Sequence, residues 1–162
     1  MLWDATWLLL AAWTPAPMRG WRRLLLVAFG AKIHADAVVY GSARIWYPPN
    51  LSMDARACIG PRVTCYCMAP IHLGEGAIVS QGSHLCAGSH DIADANFQLV
   101  TRPISIGAGA WVAAEAFVGP GVTIGPGAVL GARGVLFANA EPSGVYLGNP
   151  ARMVKKRPGV AP

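Results

Sequence analysis

The chain has 162 residues, enough for one domain and too few for several. Hydrophobic residues make up 54% and charged ones only 13%, which excludes a disordered chain and leaves more apolar surface than one slim domain buries, so symmetric self-association is expected. The net charge of +5 gathers at Arg19, Arg22 and Arg23 and again at Arg152, Lys155, Lys156 and Arg157; no DNA- or RNA-binding motif accompanies it, so a phosphate-bearing ligand or an anionic surface is expected rather than nucleic acid.

In chain order, Thr6–Trp13 and Trp21–Phe29 come first as two apolar runs separated by Pro15 and Pro17. Neither approaches the roughly 20 residues needed to span a bilayer. Asp4 stands where a signal peptide would carry positive charge, so no secretion signal is read and a cytoplasmic protein is expected. Two short helices around a proline break form an N-terminal cap over residues 1–32, packed on whatever follows. The alternative use of the same segment is an interfacial helix with Trp21 and the arginines at lipid headgroups, and the two uses are compatible.

A hexad pattern then takes over. Ile106, Val112, Val118, Ile124, Leu130 and Leu136 open successive groups of six, and a small or slim residue stands four places after each. A period of six fits neither an α-helix nor plain strand alternation. It fits a short strand followed by a tight corner, with opener and small residue both inward, which is the signature of a parallel β-helix. Pairs such as Pro120-Gly121, Pro126-Gly127 and Glu75-Gly76 supply the turns, glycine providing positive φ at the second position. Ile33, Val39, Ile45 and Leu51 keep the same register. Two-residue excesses follow Leu51 and precede Leu73, and residues 91–105 form one inserted loop. The expectation is an all-β solenoid over residues 33–141 with about five coils of about 18 residues, followed by a basic tail over residues 142–162. The four cysteines (Cys58, Cys65, Cys67, Cys86) all fall within the repeats and read as small apolar filler in a reducing compartment.

The inserted loop marks the candidate site. His90 closes the last hexad before it, where a solvent-reachable imidazole can act as general base near neutral pH, and Asp91 is the neighbour that would orient it. Gly88-Ser89-His90-Asp91, Val100-Thr101-Arg102-Pro103-Ile104, Gly109-Ala110-Trp111-Val112-Ala113-Ala114, Gly119-Pro120-Gly121-Val122-Thr123-Ile124-Gly125 and Gly148-Asn149-Pro150-Ala151-Arg152, in that order, resemble the hexapeptide-repeat O-acetyltransferases. Within that superfamily the colanic acid biosynthesis acetyltransferases are the nearest likeness, and Gly20-Trp21-Arg22-Arg23 and Phe29-Gly30-Ala31-Lys32-Ile33 share it. The maltose and galactoside acetyltransferases resemble the chain more distantly.

The resemblance implies a left-handed β-helix, which breaks the usual right-handed crossover rule. It implies a homotrimer with sites between subunits, acetyl-CoA as donor, and a sugar or oligosaccharide acceptor, free or lipid-linked, in exopolysaccharide or cell-surface glycan biosynthesis. By the same likeness His90 is the base, Trp111, Ala114 and Ala132 line the donor's slim arm, and Arg152 and Lys155 approach its phosphates. No metal is implied. A peripheral contact with the inner membrane follows from the apolar N-terminus. The family's acceptor-holding asparagine has no secure counterpart, Cys67 standing where relatives often carry it. Two other classes compete. A γ-type carbonic anhydrase would gather His72 and His90 with the His84 of a neighbouring subunit around zinc, and a non-catalytic scaffold would keep the solenoid without the chemistry.

Overall fold

A computed structural model describes residues 2–158. Met1 and the last four residues of the expected basic tail lie outside the described residues. The hexads fold as a three-sided parallel β-helix. Face one stacks Lys32–Ile33, Leu51–Met53, Ile71–Leu73, Ile104–Ile106 and Thr123–Ile124, and Ala140 bridges to Ile124 as a sixth rung. Face two stacks Val38–Val39, Cys58–Ile59, Ile78–Val79, Trp111–Val112, Val129–Leu130 and Gly144–Gly148 in parallel, then reverses into the antiparallel strand Ala151–Lys156. Face three stacks Arg44–Ile45, Thr64–Tyr66, His84–Cys86, Phe117–Val118 and Val135–Leu136. Five coils are therefore complete on all three sides, and a sixth is partial.

Strand alternation sends the openers into one continuous core, and Ile59, Val79, Leu85, Ile106, Val112 and Val118 have no exposed surface. The small residues four places on are buried with them at the corners. The turn glycines Gly76, Gly82, Gly109, Gly121 and Gly127 all take φ between +63 and +79, as the turn pairs predict.

All the length irregularities fall on one corner, between faces three and one. A short 3-10 turn at Pro48–Asn50 absorbs the first excess there, ahead of Leu51 rather than after it, because Leu51 and Met53 both point inward on one strand. The second excess occupies the same corner one coil later, before Ile71–Leu73. The third is the insertion. It is an antiparallel ribbon, Gly88–His90 against Leu99–Thr101, and the solenoid resumes at Ile104, two residues before the expected point.

The N-terminal segment caps the first coil. α1 (Leu2–Leu10) and α2 (Arg19–Ala28) place Trp3, Trp7, Leu25 and Leu26 against the core. Side-chain donors then satisfy first-coil carbonyls on every side: Arg23 Nε to Ile33 on face one, Arg22 Nε to Val39 on face two and Trp3 Nε1 to Ile45 on face three, at 2.9, 2.6 and 2.6 Å. Trp7 Nε1 donates to the carbonyls of Gly41 and Ala43 at the corner between faces two and three. Arg22 is 1% exposed and also donates to Thr14 Oγ1 and to the carbonyls of Pro15 and Ala16; burial lowers its pKa, and these hydrogen-bond acceptors are all neutral. Its expected role as an anion ligand is thereby corrected: the guanidinium is spent on backbone carbonyls.

Candidate active site

The ribbon carrying His90 is rooted by packing. Gly88 is buried, and a Cβ there would stand 3.1 Å from Tyr66 Cε1 and 3.2 Å from Met68 Cγ, so a side chain at this root would have to push Tyr66 or Met68 aside. Two residues on, His90 is exposed and pairs with Leu99 across the ribbon. Its Nδ1 lies 2.7 Å from the Phe97 carbonyl. A carbonyl only accepts, so in the neutral ring Nδ1 carries the hydrogen and Nε2 carries the lone pair. The Phe97 ring stacks on the imidazole at 4.7 Å and 10°. Phe97 does both because its backbone is left-handed, φ +50, a conformation a bulky residue adopts only when its surroundings enforce it.

Asp91 faces elsewhere. Its Oδ1 accepts from Ala93 N at 2.9 Å, and Asp94 Oδ1 accepts from Asn96 N at 2.8 Å, two successive turns that shape the ribbon's tip. The group on His90 Nδ1 is the Phe97 carbonyl, which replaces the orienting contact expected of Asp91.

The residues expected to meet the donor share one ridge. Trp111, Val129, Val145 and Lys155 are direct neighbours on four successive strands of face two. Trp111 is held by its Nε1 donating to Ser80 Oγ at 2.8 Å. Ala114 and Ala132 lie in stacked turns where face two meets face three: the Ala114 carbonyl accepts from Arg133 N at 2.9 Å, and Arg133 Nε pairs with Glu115 Oε2 at 2.6 Å. Arg152 pairs with Leu147 at the same edge, above Gly131, and both Arg152 and Lys155 are exposed. The basic run is thus an ordered strand as far as Lys156. Within one subunit this ridge and His90 stand on different corners, with face three between them.

A cleft of about 660 Å³ contains neither. It opens between α1 and face three, walled by Trp3, Trp7, Trp46 and Tyr66, one coil below the ribbon. Cys67, considered for the acceptor-holding position, is fully buried, with its thiol donating to the Tyr47 carbonyl at 3.2 Å, and touches no open surface. The three histidines of the zinc alternative diverge. His72 lies on face one between Ser52 and Asp54, His84 lies on face three against Phe117, and His90 is on the ribbon. The described residues of one chain hold no group of three or more His, Cys, Asp or Glu able to bind a metal.

No protein-family model matches the chain. The colanic acid biosynthesis acetyltransferase WcaF of Escherichia coli (strain K12), so named, is 41% identical over 156 residues, covering 96% of this chain and 86% of the relative. The chain belongs to the colanic acid biosynthesis acetyltransferase family. The Shigella flexneri protein of the same name matches to the same extent. Among solved structures, a maltose O-acetyltransferase from Clostridium difficile 630 superposes with a TM-score of 0.83 at 23% identity, over 96% of this chain and 84% of that one. A hexapeptide-repeat acetyltransferase from Vibrio cholerae O1 biovar eltor, complexed with acetyl coenzyme A, gives 0.83 at 20% identity, over 96% and 85%. A galactoside acetyltransferase in complex with coenzyme A gives 0.79 at 20%, over 96% and 78%. These three establish the fold of this acetyltransferase as the left-handed β-helix that the resemblance implied. The protein is an acyltransferase of the hexapeptide-repeat class. Two features of the candidate site carry no signature in the sequence, the Phe97 carbonyl behind His90 and the Ser80 hydroxyl behind Trp111.

Proposed function

We propose that this acetyltransferase moves an acetyl group from acetyl-CoA to a sugar hydroxyl during synthesis of an exopolysaccharide or cell-surface glycan, with His90 as general base. The observation that carries the reading is the state of His90: exposed, stacked on Phe97, its Nδ1 hydrogen held by a carbonyl and its Nε2 without a partner among the described residues. The hydroxyl proton passes to Nε2, and the oxygen forms its bond to the thioester carbonyl carbon. The carbon–sulfur bond then breaks, and the proton returns to the departing thiolate. A sugar hydroxyl attacks poorly until its proton leaves, and such assistance contributes about 10²–10⁴-fold. The names of the relatives support acetyl transfer, and coenzyme A complexes among the structural neighbours support the donor.

The donor ridge fits such a ligand. Small Ala114 and Ala132 leave room for an uncharged slim arm beside Trp111, and exposed Arg152 and Lys155 suit phosphate oxygens. Since base and ridge occupy different corners of one subunit, the working site on this reading joins the ribbon of one copy to the ridge of the next, in a homotrimer. No helix among the described residues is long and apolar enough to cross a membrane. On this reading the enzyme works in the cytoplasm and meets the inner membrane only at its surface. The test is release of coenzyme A thiol from acetyl-CoA with a panel of mono- and oligosaccharides. His90→Ala is expected to lose about 10²–10⁴-fold in kcat; transfer by that variant at the wild-type rate removes His90 as base.

A further inference from the structure

The cap has two apolar sides, and only one is used. Trp3, Trp7, Leu25 and Leu26 face the first coil, yet Leu2, Leu9, Trp13 and Leu24 are each more than half exposed, with Trp13 at 70%. Among the nine residues of α1 only Asp4 is charged. A helix apolar all round is normally covered on all sides. The two helices are joined at one point, where the indole Nε1 of Trp21, on α2, donates to the Leu10 carbonyl at the end of α1 at 2.7 Å.

Charge decides what covers this surface. From residue 5 to residue 35 there is no Asp or Glu, while Arg19 and Lys32 fall within that span in addition to Arg22 and Arg23, which bond first-coil carbonyls. Arg19, which opens α2, and Lys32, just after it, are both exposed. A second copy docking the same patch on itself would set these cations against their own images in a low-dielectric contact. An anionic lipid surface instead accepts the leucines below its headgroups, seats Trp13 and Trp21 at the headgroup level and pairs with the cations.

We infer that the outer face of α1 and α2 is a docking surface for an anionic lipid bilayer, holding the acetyltransferase peripherally at a membrane with the solenoid axis leading away from it. The readout does not depend on acetyl transfer, so this inference and the proposed reaction fail separately.

The full chain is to be sedimented with sucrose-loaded vesicles of phosphatidylcholine and of phosphatidylcholine with about 30% phosphatidylglycerol. Wild type partitions onto the anionic vesicles at least tenfold more strongly than onto the neutral ones, and high salt weakens that binding. Leu9→Ser/Trp13→Ser/Leu24→Ser, all outward-facing, reduces it at least tenfold with an unchanged melting temperature, and Arg19→Ser alone reduces it severalfold. Lys156→Ser/Arg157→Ser, at the opposite end of the solenoid, binds as wild type does. The inference is overturned by no preference for anionic vesicles, by equal binding of the triple variant, or by loss of binding in Lys156→Ser/Arg157→Ser. A lipid-free oligomer that the triple variant dissociates also overturns it, since a second copy then covers the face.

Discussion

Replacing Gly125 with alanine tests how the stacked rungs hold the donor ridge. Gly125 follows the opener Ile124 on face one, and a Cβ there would stand 2.6 Å from Pro142 N and 2.9 Å from both Glu141 C and Pro142 Cα, all backbone atoms of the next rung. To reach ordinary contact that rung must retreat by about 0.8 Å, in a stack whose normal spacing is only about 4.8 Å. Overpacking of this kind costs about 1–3 kcal/mol. For a chain of this size each kcal/mol lowers Tm by about 2–4 °C, so a fall of roughly 2–12 °C is expected by calorimetry. Pro142 leads directly into Gly144–Gly148, whose antiparallel partner carries Arg152 and Lys155. With the donor and the base placed as proposed, KM for acetyl-CoA should therefore rise severalfold while kcat stays near wild type. Gly76→Ala is the control. It has no atom within 4 Å of its Cβ but a φ of +65, so it costs about 1–2 kcal/mol through backbone strain alone and leaves KM unchanged. A Gly125→Ala protein that melts with wild type, or that loses stability without any change in KM, refutes the reasoning.

Two further outcomes are expected. Asp91→Asn keeps the oxygen that accepts from Ala93 N, so kcat should stay within about threefold of wild type; a loss of about 10²-fold or more would show that the carboxylate charge acts on His90. His84 has a buried Nε2 without a hydrogen-bond partner, and burial lowers its pKa. The unfolded chain therefore takes up a proton there more readily than the folded one, so this contribution to stability is complete above the ordinary histidine value of about 6.5 and is lost as pH falls below it. Melting curves from pH 8 to pH 5 should show a steeper acid loss in wild type than in His84→Leu, and parallel curves would exclude the effect.

The solenoid was legible because its core imposes one rule on every corner. Ile106, Val112 and Val118 had to be apolar and Ala110 and Ala116 small, and Gly125 has no room for a Cβ beneath the next rung. The irregular spacings near Leu51 and Leu73 were visible too, but only the folded chain shows that they and the ribbon share one corner. His90 was legible from its place at the interruption. Phe97 was not, since its contribution is a backbone carbonyl in a left-handed conformation, and no residue type announces that. Charge counting misread Arg22 and Arg23 for a related reason: composition gives the number of guanidinium groups but not the carbonyls that consume their N–H groups. The residues after 142 likewise looked like a solvated tail, although the turn before Ala151 folds them back as the outermost strand of face two.

A stack of parallel strands ends in a row of bare backbone acceptors, the same template on which fibrils elongate. Here two indoles and two guanidinium groups share that row among them, one on each face and Trp7 at a corner, and the far end on face two is turned back by an antiparallel strand. The first thirty residues therefore act as a terminator as well as a lid. A chain shorn of them would present a sticky growing tip, and its characteristic failure would be head-to-tail polymerisation of otherwise intact prisms rather than unfolding.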